Sequence, residues 1–197
     1  MEAPVLGRIS EQKPGGKEKM YQVGDLIIYG STGVCKVTDI TTRELDGKDK
    51  EQLFYVQDLL YQNCTIFAPV NSTKVFMRPI ISKEEAERII DMIPAMQAEA
   101  YHNRALNQLA EHYKTSLNTH ECSDLIELTM SIYAKKQFAE QQKRRFGTVD
   151  EQFMKRAEEL LFGELAAALD IPKDKVPKYI SKRVSEKRRD TDSEYNE

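Results

Sequence analysis

The side chains best suited to metal binding or acid–base catalysis are three histidines in the second half of the chain. They are His102, His112 and His120. Their intervals of ten and eight residues match no HExxH or related ligand spacing, and no third ligand is implied beside the last two. We interpret them as surface or helix-end histidines, and we predict no metal site.

Three cysteines are the next candidates for metal binding, disulfide formation or nucleophilic catalysis. They are Cys35, Cys64 and Cys122. An odd number of widely separated cysteines, without a CxxC pair, indicates neither a disulfide framework nor structural zinc. Free thiols without a secretory signal are typical of a cytoplasmic protein.

The sequence also lacks the motifs that common enzyme classes need. It has no glycine-rich phosphate-binding loop and no GxSxG nucleophile motif. We therefore expect no catalytic residue, no cofactor and no small-molecule ligand, and we predict that the protein is not an enzyme.

Charge is the chemistry that remains. The 197 residues include 29 Lys and Arg against 32 Asp and Glu, and the net charge of −3 excludes a protein that binds nucleic acid through bulk charge. Locally, however, eight basic and two acidic side chains lie between Lys173 and Arg189. A second basic cluster contains Lys135, Lys136, Lys143, Arg144 and Arg145, with Glu140.

No apolar run approaches the roughly 18 residues of a membrane helix, so we expect no membrane contact.

The first half of the chain has a β pattern with turns every eight to twelve residues. We predict strands at Leu26–Tyr29, Val34–Ile40, Glu51–Leu60, Cys64–Ala68 and Val75–Met77. A turn at Asp46-Gly47 joins the second and third of them. Short strands at this spacing predict a small five-stranded curled sheet or barrel.

The second half has a helical pattern. Ser82 with Glu85 forms a capping box that opens a first helix, which Pro94 stops. Further helices are predicted from Met96 to Leu117, from Glu121 to Gly147 and from Thr148 to Leu169, the last opened by a capping box of Thr148 and Glu151. Its buried stripe is Phe153, Ala157, Leu161, Leu165 and Ala168.

These patterns predict an α+β chain in which a small β domain precedes an all-α helical bundle. We expect a disordered leader at 1–19, the β domain at 20–79, the helical domain at 80–170, and one short basic helix with a frayed tail at 171–197.

Several stretches, in this order and spacing, resemble the CarD/CdnL family of bacterial transcription regulators, whose β module is shared with the transcription-repair coupling factor. The stretches are YQVGDLIIY at 21–29, Gly33-Val34, Ala68-Pro69-Val70-Asn71, Arg78-Pro79 before Ile81–Glu85, and Gly163-Glu164-Leu165-Ala166. The resemblance spans roughly Met20 to Leu169.

The resemblance implies a non-enzymatic regulator with a Tudor-like β domain that docks on the β subunit of bacterial RNA polymerase by strand pairing. It implies a polymerase-binding role for Thr41, Arg43, Ile66 and Phe67. The alternative to a polymerase contact for Arg43 is that it is an ordinary solvated arginine beside a turn. Phe67 lies at a strand edge, where it suits an interface, or it belongs to the core.

The resemblance also implies that the helical domain contacts promoter DNA weakly, without sequence specificity, and stabilises the open complex. The implied DNA-binding residues are Tyr101, Arg104, Lys135, Lys136, Lys143, Arg144 and Arg145. The alternative for the basic residues is a solvated helix face. We expect a cytoplasmic protein that joins the nucleoid through the polymerase.

Two departures from the family pattern bear on this mechanism. Tyr29 is followed by Gly30, where family members usually have proline. The chain contains no tryptophan, whereas many members stack one on the upstream edge of the melted DNA. Tyr101 either replaces it or packs on the helices. The alternative function is a protein–protein adaptor that uses the β module without direct DNA contact.

Overall fold

The computed structural model describes residues 20–45, 48–96 and 98–194, and the side chains of 44–45, 48–51 and 190–194 are not described. The predicted disordered leader at 1–19 and the predicted Asp46-Gly47 turn lie outside the described residues. So do the last three residues of the predicted tail, 195–197.

Among the described residues, five antiparallel strands form one curled sheet in the order β4-β3-β2-β1-β5. They are β1 (Leu26–Tyr29), β2 (Gly33–Leu45), β3 (Lys48–Leu59), β4 (Thr65–Pro69) and β5 (Met77–Pro79). The inner face buries Ile27, Cys35, Val37 and Tyr55. This sheet, followed by helices, confirms the predicted α+β fold class.

The last strand begins and ends two residues later than predicted, so the predicted bounds of Val75–Met77 were wrong. Met77, Arg78 and Pro79 pair with Tyr29, Ile28 and Ile27 of β1. Proline is accepted in a strand at the edge of a sheet because its missing N–H can face away from the neighbour. For the same reason β4 extends to Pro69, one residue beyond the predicted end.

In the part of the chain that the structure describes, five α-helices follow the sheet and pack around one apolar cluster. They are α1 (Lys83–Met92), α2 (Leu106–Asn118), α3 (Cys122–Gln141), α4 (Thr148–Leu169) and α5 (Val176–Glu194). The cluster buries Tyr113, Ile132 and Leu165 completely. No helix in the described part of the chain is long and apolar enough to cross a membrane.

Only the first of the two predicted helix caps forms. Ser82 Oγ accepts a hydrogen bond from the Glu85 N–H at the start of α1 (3.1 Å), as predicted. The cap predicted at Thr148 was wrong, because Gly147 precedes the first residue of α4 and makes no side-chain cap bond. A Cβ at Gly147 would lie 2.5 Å from Asp150 Oδ2, so this close approach requires glycine.

The helix predicted from Met96 was wrong at its start, because α2 begins at Leu106 and the described residues just before it are not helical. The preceding segment bonds to α3 instead: Ser131 Oγ donates to the Glu99 carbonyl (2.6 Å) and accepts from the Tyr101 N–H (3.3 Å). Asn103 Oδ1 also accepts from the Ala105 N–H (2.9 Å), a local turn that competes with the helix.

Helix α3 ends six residues before the predicted stop at Gly147. The Arg144 N–H donates to the Ala139 carbonyl (2.8 Å) and the Lys143 N–H to the Glu140 carbonyl (3.0 Å), with Lys143 at a φ of 53°. This is a Schellman ending whose left-handed residue is lysine, so the sequence contains no glycine to signal it.

The basic C-terminal helix was predicted to be short, but α5 runs for 19 residues. Val176 is fully buried on the main cluster, and Tyr179 and Ile180 pack against it. The first turn of α5 is therefore held by the apolar core. The many charged residues of this segment did not indicate that packing.

Candidate functional site

Arg43 and Phe67 form a cation–π pair on the outer face of the sheet. The guanidinium carbon of Arg43, on β2, lies 3.5 Å from the centre of the Phe67 ring, on β4. Strand β3 runs between them, so the arginine reaches across one strand. Phe67 is 40% exposed. Phe67 was predicted to lie either at an exposed strand edge or in the core, and the structure places it at the exposed edge.

Two further residues predicted to bind polymerase lie on opposite faces of the sheet. Thr41 is two residues before Arg43 with no bulge between them, so both face the same side. Ile66 points the other way and packs against the inner cluster with Ile27 and Tyr55. Strand alternation therefore directs the Ile66 side chain inward, and the role of Ile66 in polymerase binding stays a prediction.

Strand β4 forms one edge of the sheet. Among the described strands it pairs only with β3, so its outer N–H and C=O groups remain available to a further strand. Phe67 lies at the middle of this edge. An extended segment of another protein could add to the sheet here beside an arginine–phenylalanine pair.

Arg78 and Glu164 join the sheet to the helices. Arg78, on β5, donates from Nη2 to Glu164 Oε2 on α4 (2.9 Å), and its Nη1 contacts Oε1. The side chains are 16% and 2% exposed. Arg78 also donates through Nε to the His120 carbonyl (3.1 Å). A buried, two-pronged pair of this kind fixes both distance and orientation.

Other groups complete the hydrogen bonding of the Glu164 carboxylate. The Ile81 N–H donates to Oε1 (3.0 Å) and the Cys122 thiol to Oε2 (3.1 Å). Burial, with the neighbouring Glu164 charge, raises the pKa of Cys122. Burial opposes the charge of Arg78, but the hydrogen bonds that Arg78 donates to the Glu164 carboxylate, with the charge of that carboxylate, outweigh it and raise the Arg78 pKa. The thiol is therefore a neutral hydrogen-bond donor in this cluster.

A second contact between sheet and helices involves Tyr61 and Gly163. The Tyr61 hydroxyl donates to the Gly163 carbonyl (2.9 Å), and a Cβ at Gly163 would lie 3.3 Å from the tyrosine ring. Arg156 also donates to the Ser31 carbonyl. The Arg78-Pro79 and Gly163-Glu164 stretches, which carried the resemblance, thus meet at one interface; sequence reasoning assigned no role to Arg78 or Glu164.

Five of the basic residues predicted to bind DNA are accessible to some degree. Lys143, Arg144 and Arg145 are exposed in the connection from α3 to α4, and Lys136 is half-buried one to two turns earlier. The Schellman ending holds the backbone of this connection, which we call the basic loop (residues 143–145). Arg104 is exposed as well, just before α2.

Lys135 does not belong to this exposed set. Its Nζ donates to Asp150 Oδ1 (2.7 Å), and the two side chains are 15% and 5% exposed. The Tyr113 hydroxyl donates to the same oxygen (2.7 Å). The Lys135 ammonium therefore neutralises a buried carboxylate, and its role in DNA binding stays a prediction.

Tyr101 packs against its own domain. Its ring stacks on His112 with centroids 3.8 Å apart, and it packs against the main apolar cluster. This geometry favours the packing alternative over a role as replacement for tryptophan. An aromatic that sequence reasoning did not assign to DNA, Phe138, is 50% exposed and has His102 at its edge (6.3 Å).

Residues 21–81 match the family model of the CarD-like/TRCF RID domain, the RNA-polymerase-interacting domain. The matched residues contain all five strands and end just after Arg78 and Pro79. The match confirms the resemblance for this part of the chain. It supports a transcription-related role with RNA polymerase as the partner, in a family of regulatory rather than catalytic domains.

Proposed function

Because residues 21–81 form a CarD-like/TRCF RID domain, we propose that this protein regulates transcription initiation. The sheet docks on the polymerase β subunit, and the helices contact promoter DNA and stabilise the open complex. The observation that carries the proposal is the exposed Arg43–Phe67 pair at the β4 edge of this domain.

The docking step follows from the chemistry of that edge. A β-subunit strand that pairs with β4 satisfies its outer backbone groups, and main-chain hydrogen bonds supply affinity without requiring a deep pocket. Arginine and large aromatic residues dominate binding energy at protein interfaces. Phe67 is already desolvated on one face by Arg43, so less water remains to be removed when a partner covers it.

The DNA contact is assigned to the basic loop, with Lys136 and Arg104 beside it. Exposed lysine and arginine side chains bind phosphates, and such contacts position a protein without reading sequence. Docking on the polymerase raises the local concentration of the loop at the promoter, so each contact can be weak. A chain with a net charge of −3 then needs no bulk positive charge.

The interface between sheet and helices connects these two steps. Arg78–Glu164 and Tyr61–Gly163 hold the sheet against α4, and the basic loop ends two residues before the residue that precedes Thr148, where α4 begins. A partner bound at β4 therefore sets the position of the loop, because rigid elements and buried contacts lie between them.

The docking half is tested by capture of the isolated polymerase β lobe on the wild-type chain, the Arg43→Glu variant and a Lys155→Glu control. Lys155 is an exposed cation on α4, so the control changes charge equally. We expect wild type and control to bind and Arg43→Glu to lose at least about tenfold in affinity. Equal binding by all three proteins would refute the assignment of Arg43.

The DNA half is tested by the lifetime of polymerase–promoter open complexes. We expect wild type to lengthen it and an Arg144→Glu/Arg145→Glu variant to do so much less, with docking unchanged. Lys114→Glu/Lys155→Glu, also at exposed positions, is the matched control. If the wild-type protein leaves the open-complex lifetime unchanged, the DNA-contact half of the proposal is refuted.

A second candidate function is an adaptor that docks through the sheet and makes no DNA contact. It is favoured by the engagement of Lys135 with Asp150 and of Tyr101 with His112, which removes two residues from the predicted DNA surface. Retained polymerase binding with no change in open-complex lifetime or DNA footprint identifies this function.

A further inference from the structure

Helix α5 carries basic residues on two opposite faces. One face is structural: Arg183 forms two hydrogen bonds with Asp91 of α1 (2.5 and 3.0 Å) and lies 3.4 Å from Glu87, and Lys187 lies 3.8 Å from Asp91. These contacts, with buried Val176, fix the rotation of α5 about its own axis.

The opposite face is cationic and faces solvent. Lys178, Lys182, Ser185 and Arg189 follow one another at intervals of four, three and four residues, so they share one side of the helix. All four are exposed. The three cations span about 16 Å along the axis at 1.5 Å per residue. We call these four residues the α5 cationic face.

The ion pairs within this region do not neutralise it. Lys182 lies 3.8 Å from Glu186, and the two side chains are 75% and 50% exposed. A surface pair of this kind contributes at most about 1 kcal/mol and exchanges readily for a stronger anion. Arg189 donates from Nε to the Ser185 carbonyl within its own helix (3.2 Å) and keeps its charge.

We propose that the α5 cationic face is a second DNA-contacting surface, which binds the phosphate backbone of double-helical DNA. The proposal deepens the DNA-contacting function proposed above and rests on it for the choice of DNA as the polyanion. The basic loop and α5 lie at opposite ends of α4 in the chain, and α4 is 22 residues long, about 33 Å. The two surfaces are therefore separate segments of the chain, one on either side of α4.

The composition of this face favours duplex phosphate over other anionic partners. It contains no aromatic side chain, whereas single-stranded nucleic acid is bound largely by stacking on aromatic rings. Protein interfaces have a core of apolar and aromatic residues, which Lys178, Lys182, Ser185 and Arg189 do not supply. Interfacial membrane helices bury an apolar face in lipid, and the apolar side of α5 packs on the protein core.

The test is salt-dependent binding of the free, full-length chain to a duplex of about 30 base pairs, measured by fluorescence anisotropy. The test variant is Lys178→Glu/Lys182→Glu/Arg189→Glu. The control is Lys74→Glu/Lys114→Glu/Lys155→Glu, which makes the same charge change at three exposed positions elsewhere. Thermal unfolding checks that both variants remain folded.

We expect the test variant to lose at least about tenfold in affinity and its log–log salt slope to become shallower by about 3, one unit for each lost phosphate contact. The control stays within about threefold of wild type. Unchanged affinity of the test variant overturns the proposal, and so does an equal loss in the control or an absence of wild-type binding at low salt.

The Arg144→Glu/Arg145→Glu variant separates this proposal from the proposed function. If that variant binds DNA like wild type while the α5 variant does not, the basic-loop assignment fails and the α5 proposal stands. If the α5 variant loses polymerase binding but retains DNA affinity, the face binds an acidic protein surface and the proposal is overturned.

Discussion

Arg78 and Glu164 are 86 residues apart in the chain and form a two-pronged buried ion pair between the last strand and the longest helix. The Cys122 thiol and the Ile81 N–H bind the same carboxylate. The sheet reaches this carboxylate through Arg78, the connection from β5 to α1 through Ile81, and α3 through Cys122.

Glu164→Leu is expected to be among the most destabilising single substitutions in the chain. It leaves the Arg78 guanidinium without its counter-charge, and breaking a buried pair from one side costs about 3–5 kcal/mol of the free energy of unfolding. Urea denaturation followed by circular dichroism measures it.

The Arg78→Met/Glu164→Leu double variant is the control for that prediction. Replacing both partners with apolar side chains removes the uncompensated charge, so we expect it to recover a substantial part of the loss. A double variant at least as unstable as the sum of the two single variants would contradict an ion-pair role. Open-complex lifetimes on this folded variant then report whether docking and DNA contact remain coupled.

Lys135→Met is expected to lower the free energy of unfolding, whereas Lys143→Met is expected to leave it nearly unchanged. The first substitution leaves Asp150 buried, with Tyr113 as its remaining side-chain partner among the described residues, which costs about 3 kcal/mol. The second changes an exposed residue and leaves stability within about 0.5 kcal/mol. Thermal unfolding measures both; equal, small effects would show that the Lys135–Asp150 pair contributes little.

His120 is expected to make stability depend on pH. Burial, with the nearby Arg78 charge, lowers its pKa below the usual 6.5, so the unfolded chain binds this proton more readily than the folded one. The free energy of unfolding is therefore unaffected by protonation of His120 above about pH 6.5. It decreases as the pH falls from there toward the folded-state pKa of His120, because the unfolded chain is protonated first. Urea midpoints at pH 7.5 and 5.0 measure the loss.

His120→Asn isolates that contribution, because asparagine accepts the φ of 59° at this position. We expect a smaller change of midpoint between the two pH values than in wild type, although the stack on Phe76 is also lost. His102→Asn, at an exposed histidine, is the control. Parallel pH profiles of wild type and His120→Asn would exclude His120 as the titrating group.

Arg43 and Phe67 are expected to act as a unit in polymerase binding. In a double-mutant cycle with Arg43→Gln and Phe67→Leu, the guanidinium over the ring predicts a coupling energy of about 0.5–2 kcal/mol. Affinities for the β lobe, measured by calorimetry, give the cycle. Losses that add without coupling would mean that each residue contacts the partner independently of the other.

Much of the architecture is readable from local pattern. The alternation around Val37 and the Ser82 cap predict strands and the start of α1, because side-chain period and capping are properties of neighbouring residues. The stop of α3 was missed because Lys143 adopts a left-handed conformation that glycine usually marks. The coil before α2 was missed because Ser131, thirty residues away, binds its backbone.

The sequence by itself determined the order of sheet and helices, and its motifs identified the RNA-polymerase-interacting domain that the family match confirms at 21–81. Only the tertiary structure decided which charges are used internally. Lys135 and Arg183 are bound to Asp150 and Asp91, whereas Lys178 faces solvent. The reason is physical: side-chain period is a local property of the chain, but ion pairing depends on which distant residues packing brings within 4 Å.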